Sequence, residues 1–401
     1  MRKKTKTRLI QISLFLITLF TTTLAGAEWT LGKGFFMEGF RWPSWLGTEE
    51  LKRGLVYSIS FLGILTIHEF GHYITARIYK VKVSLPFYLP FFLGFTNSLG
   101  TFGAFIKIKS RLYSTKQIFD IGIAGPLAGF FAALILLWYG FTHLPPQEYI
   151  YTIHPEYAEF GENYADTVYT KGYIVGEFKE STGKELEEVV MYSLGSNLVF
   201  KFFEHFVVED PALIPNHYEM MHYPILFAGY LALLFTAFNL LPVGQLDGGH
   251  ILFGLFGSRR HYLISPIIFG VFVLFAGVGI FKNNPFGNIF DDMGSFAYFS
   301  VVYIFFLYMI FSRLQTSVAN KVMIAVIIFS LQFLIEYLLP DLVISSGWLF
   351  FSFVVGRFLG VYHPPALIEK PLSLPRKILG WFSLIVFILC FTPRLFVIEV
   401  L

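Results

Sequence analysis

Apolar residues in this chain fill long continuous runs, with no alternating or amphipathic spacing over most of its length. The runs lie near 9–27, 54–79, 117–140, 224–256, 262–281, 296–313, 322–339, 342–359 and 377–393. A hydrocarbon core of roughly 30 Å needs about 20 apolar helical residues. Open backbone in lipid leaves each polar group unpaired at a cost of several kcal/mol, so the runs must be helices. The pattern therefore predicts a mainly α-helical, polytopic membrane protein with eight or nine transmembrane helices. Only Pro340 and Asp341 separate the seventh and eighth runs, which permits a re-entrant pair there. Two segments depart from the pattern. In 81–110, Pro86 and Pro90 break any helix, and Phe105-Ile-Lys-Ile-Lys alternates as a strand does, predicting a small β hairpin that dips into one membrane face. Residues 145–222, rich in Tyr, Glu and Pro, read as an insertion outside the membrane. The expected division is a first membrane part at 1–140, the insertion at 141–222 and a second membrane part at 223–401.

Composition agrees. The chain is 55% apolar and 14% charged, with a mean hydropathy of +0.63, whereas soluble domains carry roughly 25% charge. The net charge of +3, with no basic stretch interleaved with stacking aromatics, excludes a nucleic-acid partner. Cys390 is the sole cysteine, so an intrachain disulfide and a cysteine-based zinc site are excluded. The basic head of the chain, Arg2-Lys-Lys-Thr-Lys-Thr-Arg8, places the N-terminus in the cytoplasm under the positive-inside rule. Alternation from there puts the Lys/Arg clusters at 77–82, 107–116, 259–260, 313–321 and 357–377 on the same side. It puts 141–222 outside, with fourteen Asp/Glu against four Lys. The first run ends in Ala25-Gly26-Ala27, as a signal peptide does, but it is long for one and is read as an uncleaved span.

Chemistry concentrates inside the second run, at His68-Glu69-Phe70-Gly71-His72. On a helix, positions i and i+4 share a face, so both imidazoles can grip one metal with Glu69 beside it as a general base. Ionisable residues in the middle of an apolar span cost about 2.5–3.5 kcal/mol each for carboxylates, and so signal function. A catalytic zinc wants a third protein ligand. The fourth run offers Asp247, after Pro242 and among Gly244, Gly248 and Gly249, unless that carboxylate merely caps a broken helix. A cluster of polar groups knitting helices together is the bland alternative for the whole set.

His68-Glu-Phe-Gly-His72 on one span, with Asn239-x-x-Pro242-x-x-x-Leu246-Asp247-Gly248 on a later one, resembles the site-2 protease family of intramembrane zinc metalloproteases. Gly100-Thr-Phe-Gly103-Ala, Asp120-Ile-Gly-Ile-Ala-Gly125-Pro126-Leu-Ala-Gly129, His222-Tyr-Pro224 and Arg357-Phe-Leu-Gly-Val-Tyr-His363 match it too. Without a PDZ-like insert, the chain is similar to the EGY-like branch, over about residues 9–393. The resemblance implies an intramembrane endopeptidase that cleaves transmembrane segments of membrane-protein substrates, for regulation or clearance of remnants. It implies Zn2+ held by His68, His72 and Asp247, water activated by Glu69, and a substrate carbonyl or oxyanion held by Asn239. It also implies that the hairpin takes the substrate as an added strand, through Gly103, Phe105, Ile106 and Ile108. The expected home is a bacterial cytoplasmic membrane, with a plastid-type membrane as the alternative. Gly125-x-x-x-Gly129 reads as a close helix-packing stripe, His222 as a structural interface histidine, His250 as a packing residue and Glu336 as an interfacial carboxylate reaching water. Two rivals stand beside this reading. A transporter or metal permease lined by the His/Asp cluster leaves Glu69 and the Asn239–Gly248 pattern unexplained, and a silent scaffold would have lost Glu69 or a ligand.

Overall fold

Residues 2–37, 39–95, 98–183, 189–282, 292–342, 344 and 347–400 are described by a computed structural model of the chain. They form α1 (Arg2–Leu31), α2 (Thr48–Ile78), β1 (Phe87–Pro90), β2 (Thr101–Phe105), α3 (Thr115–Thr142), α4 (Tyr164–Val168) and α5 (Lys171–Thr182). After these come β3 (Val190–Leu194), α6 (Leu198–Phe206), α7 (Pro224–Leu240), α8 (Asp247–Ala276), α9 (Met293–Ile310) and α10 (Val318–Leu338). The chain closes with α11 (Gly347–Val354, continued by a π turn at Val355–Leu359), α12 (Leu374–Cys390) and β4 (Phe396–Val400). Polar residues start several of the helices: Ser114, Asn197, Asp292 and Ser317 each accept a hydrogen bond from a first-turn backbone N–H, satisfying donors the helix leaves orphaned. Among the described residues, α1, α2, α3, α8, α9 and α10 are long and apolar enough to cross a membrane. The protein is a multi-pass membrane protein.

Several runs differ from their sequence outline. The run 224–256 is not one helix. Helix α7 stops at Leu240, Gly244 adopts φ +58°, and the helix restarts at Asp247. Helix α8 is itself two limbs that fold back at Gly257 (φ 75°, ψ 173°). Gly244 N–H donates to Ser265 Oγ at 3.0 Å, and the Phe253 and His261 rings are 6.0 Å apart, whereas eight residues of straight helix span about 12 Å. Among the described residues, the run 342–359 is helical from Gly347, and those thirteen residues reach roughly 20 Å, short of a bilayer core. Glu336 does not reach for water: it is buried and accepts from the backbone N–H groups of Gly279, Phe281 and Lys282 at 3.1, 3.2 and 2.6 Å.

The β hairpin extends further than the sequence suggests. Its legs are antiparallel, pairing Phe87 with Phe105 and Tyr88 with Ala104. Gln11 Nε2 donates to Leu85 O at 2.6 Å, Thr21 Oγ1 to Gly100 O at 2.7 Å and Trp29 Nε1 to Ser98 O at 2.9 Å. Phe36 N–H, beyond the end of α1, reaches Gly94 O at 2.9 Å. The hairpin therefore runs beside α1 for most of that helix's length, about 27 Å from Gln11 to Trp29 at helical rise, and is not confined to one face. Non-helical backbone at that depth is tolerated where protein groups cover it, and these side chains cover it. On the other side, β3 of the 145–222 segment pairs with β4 at the far end of the chain, which no pattern in the sequence announced.

Helices α1 and α2 cross through small residues. Ala25 and Ala27 are fully buried, a Cβ on Gly26 would overlap the Tyr57 ring, and a Cβ on Gly54 would overlap the Thr23 carbonyl. Overpacking of this kind costs about 1–3 kcal/mol. Gly54→Ala is expected to lower the melting temperature of the detergent-solubilised protein by several degrees. Gly63→Ala, on the same helix but with nothing within 4 Å of its Cβ, is expected to leave it unchanged. Equal melting temperatures for the two variants would refute this crossing.

Candidate metal centre

Helix α2 carries His68 and His72 one turn apart, and both are buried together with Glu69. The break after α7 delivers Asp247 as the first residue of α8. The three side chains converge. His68 Nε2 lies 3.1 Å from His72 Nε2 and 3.5 Å from Asp247 Oδ2, and His72 Nε2 lies 3.2 Å from the same oxygen. A tetrahedral ion with bonds of ~2.0–2.1 Å separates its ligand atoms by about 3.3 Å, so the spacing suits one. His72 Nδ1 faces Ile121 O at 2.7 Å. An N–H donated there leaves Nε2 as the lone-pair nitrogen aimed at the cluster, the usual outer support of a metal-ligating histidine. These residues can hold a metal ion. Glu69 Oε1 stands 4.0 Å from His68 Nε2, beside the trio and outside it.

Helix α3 makes the space. A Cβ on Gly125 would overlap the His72 ring, and one on Gly129 would come within 3.2 Å of His68 Cβ. One turn earlier, a Cβ on Gly122 would press on His250. The glycine stripe packs α3 closely on α2, as Gly71 against Ala124 and Gly125 shows, and it is also a socket for imidazoles. His250 itself stays out of the trio, with its Nδ1 2.8 Å from His363 Nε2. The socket could have been suspected from Gly122, Gly125 and Gly129 sharing a helix face, but the sequence alone does not say what fills it.

The remaining candidates fall around this centre. Asn239 sits one residue before the end of α7, half-buried, with no hydrogen-bond partner for its carboxamide among the described residues. Phe235, four residues earlier and so on the same face, touches the position a Gly103 Cβ would take, at 3.5 Å. That contact brings β2 beside the Asn239 face of α7. The strand itself is Thr101–Phe105, earlier than the Phe105–Lys109 alternation implied. Beyond it, pairing becomes irregular because Ser84 Oγ, in place of a ladder carbonyl, takes the Lys107 N–H at 2.8 Å. Ile108 only bridges Val83. Phe105 is 45% exposed and stacks on Phe87. The Tyr88 hydroxyl of β1 lies 2.7 Å from Thr66 Oγ1, three residues before Glu69, a contact that ties the hairpin to the centre and that no sequence pattern signalled.

The model of Peptidase family M50 matches residues 56–281, more than half of the chain and all of the centre. The chain is also similar to proteins from rice and thale cress. It is 31% identical over 214 residues to "Probable zinc metalloprotease EGY1, chloroplastic" of Oryza sativa subsp. japonica, covering 52% of this chain and 29% of that protein. It is 31% identical over 205 residues to the protein of the same name from Arabidopsis thaliana, covering 51% and 30%. It is 26% identical over 261 residues to "Probable zinc metalloprotease EGY2, chloroplastic" of Oryza sativa subsp. indica, covering 65% and 37%. The chain thus spans about a third of the length of these relatives. No solved structure matches it.

Gly125→Ala inserts a methyl group where the His72 ring lies, and the ring must swing away from His68 and Asp247. Bound divalent metal, measured by elemental analysis of the purified protein, is expected to fall at least about tenfold with helix content by circular dichroism unchanged. Metal content equal to wild type would show that the ring is not held by the socket.

Proposed function

The chain belongs to Peptidase family M50, and from that premise we propose that it is a zinc metalloprotease that cleaves transmembrane segments of other membrane proteins. The single observation that carries this reading is the convergence of His68, His72 and Asp247 with Glu69 alongside, inside a bundle of membrane-crossing helices. His68, His72 and Asp247 would hold the zinc. When bound, zinc polarises a carbonyl and lowers the pKa of water towards about 7.

The chain's own residues supply the rest. Glu69 takes the proton from the attacking water and returns it to the leaving amine. Asn239, with a carboxamide free to donate, binds the carbonyl oxygen of the bond under attack. The burial of His68, Glu69 and His72 keeps bulk water from the reaction. A helical substrate hides its carbonyls in i→i−4 hydrogen bonds, so it must unwind locally before a fixed site can reach one. The unpaired edge of β2 offers replacement hydrogen bonds to such an unwound strand. Gly103 and Phe105 sit on this strand, Gly103 beside α7, while Ile106 and Ile108 form its continuation towards Lys109. Because Tyr88 of the hairpin is held to Thr66, three residues before Glu69, a substrate strand added there comes in beside the base.

The membrane orientation belongs to the same reading: the N-terminus and residues 107–116 on the cytoplasmic side, with 145–222 on the far side. Helix α2 runs from its Thr48 end on the far side towards Ile78, so His68 and His72 lie in the cytoplasmic half of the membrane.

Glu69→Gln keeps the shape of the side chain but cannot take a proton. Cleavage of a model transmembrane substrate is expected to slow by at least about 10²-fold while metal content stays at the wild-type level. A variant that cuts at near wild-type rate would exclude Glu69 as the base.

Orientation is checked with single cysteines in a Cys390→Ser background. A membrane-impermeant thiol reagent on intact cells is expected to label Glu180→Cys and to spare Lys109→Cys. The reverse pattern would invert the map.

A further inference from the structure

A second group of metal-ligating side chains lies far from the first. His154, Glu219 and His222 each offer one ligand atom within 4.8 Å of the others. His154 separates the two 3-10 helices Gln147–Thr152 and Pro155–Asn163, and Glu219 and His222 precede α7. His222 is set against the end of α1: its Nδ1 lies 2.7 Å from Thr30 O, one of the last four carbonyls that a helix leaves without an internal partner. Along α2, Gly54 packs between Thr23 and Ala27 of α1, and His68 follows Gly54 by fourteen residues, about 21 Å of helix. The two groups therefore stand about 20 Å or more apart, towards opposite ends of the helices.

Hydrogen-bond accounting shows what this group lacks. With Nδ1–H donated to Thr30 O, His222 Nε2 carries a lone pair, and it faces Glu219 Oε2 at 3.3 Å. Two acceptors point at each other. Glu219 is 1% exposed, and neither of its carboxylate oxygens has a hydrogen-bond donor among the described residues. His154 Nδ1 lies 3.3 Å from Glu156 Oε1, and the His154 ring stands 5.2 Å from the His222 ring. Leaving a buried carboxylate without a donor costs several kcal/mol, and a cation among the three removes the penalty. An imidazole that gives its outer N–H to a backbone carbonyl, as His222 does to Thr30 O, has the outer support of a metal-ligating histidine. Two imidazoles with one carboxylate suit zinc and its neighbours, whereas calcium and magnesium prefer all-oxygen sets. The group lies on the wall of a cavity of about 460 Å³, with Tyr157, Tyr169 and Tyr218 also on its wall, which gives an ion an entry path and room for a water as fourth ligand.

We propose that His154, Glu219 and His222 form a second binding site for a divalent transition-metal ion of the zinc class, clamping the 145–222 segment to the end of α1 and the start of α7. Its occupant carries no part of the peptidase chemistry and is held whether or not the first centre is intact.

The test is metal stoichiometry on the full-length protein in detergent, stripped with chelator, reloaded with Zn2+ and separated from free ion. Wild type is expected to hold two zinc ions per chain. Both His68→Ala/His72→Ala and Glu219→Gln/His222→Asn should hold one, and the quadruple variant none. Cobalt loaded into His68→Ala/His72→Ala should give the visible absorption of a four-coordinate site and lose it on adding Glu219→Gln. One zinc in wild type that is lost in His68→Ala/His72→Ala, or an unchanged count in Glu219→Gln/His222→Asn, overturns the proposal even if one variant fails to fold. A wild type with one zinc that survives His68→Ala/His72→Ala but not Glu219→Gln/His222→Asn would sink the peptidase reading and leave this site standing.

Discussion

The arrangement that everything else serves is the burial of two imidazoles and two carboxylates at the centre of an apolar helix bundle. Each such carboxylate costs about 2.5–3.5 kcal/mol in a membrane span, and the imidazoles cannot pack against ordinary side chains without losing their mutual spacing. The fold answers with subtraction. Along α3, Gly122, Gly125 and Gly129 omit the side chains that would otherwise occupy the positions of His250, His72 and His68. On α2, Gly71 lets the Ala124 carbonyl come up against the backbone. The close approach of α2 and α3 is thus a condition of the cluster's geometry as well as of helix packing.

The hairpin depends on the same crowding. Strands carry backbone groups that lipid cannot satisfy, yet β1 and β2 lie beside α1 deep in the molecule. Gln11, Thr21 and Trp29 of α1 and Thr66 of α2 supply side-chain hydrogen bonds along its length, the last to the Tyr88 hydroxyl at 2.7 Å. These polar residues sit among exposed apolar neighbours such as Leu9, Leu16 and Phe20. One face of α1 therefore meets lipid while the other holds a strand pair. The hairpin is thereby positioned from α1 and α2 together.

How much of this was legible beforehand follows from which forces act locally. The apolar runs, the i and i+4 histidines and the disruptive Pro242 and glycines are local signals, and they led directly to the helices and to the convergence of His68, His72 and Asp247. What escaped depends on contacts between distant segments. The β3–β4 pairing joins residues two hundred positions apart, through short strands with no distinctive spacing. Glu336 looked interfacial because its neighbours in sequence are apolar, but its partners are the backbone N–H groups at 279–282, visible only once α8 and α10 pack. The alternating Lys107 and Lys109 suggested a strand at 105–109, and a single serine hydroxyl, Ser84 Oγ on Lys107 N–H, makes the pairing there irregular.

The break between α7 and α8 places Asp247, and its physics closes the account of the centre. Starting a helix in the interior of a bundle leaves backbone N–H groups without partners and concentrates about half a positive charge at the helix N-terminus. Asp247 is the first residue of that helix, so its carboxylate sits in the favourable end of the dipole while reaching His68 and His72. The chain can turn this tightly only because Gly248 and Gly249 lie against the carbonyls of Leu240, Val243 and Gly244, where a Cβ would overlap them. Ser265 on the returning limb fills the other need, taking the Gly244 N–H and donating its hydroxyl to Val361 O at 2.7 Å. An uninterrupted helix through 224–256 would have carried Asp247 on an arbitrary face, with no dipole to offset its charge. The interruption therefore sets the position of the Asp247 carboxylate, and the glycines after Asp247 are as much part of the centre as the carboxylate they let turn inward.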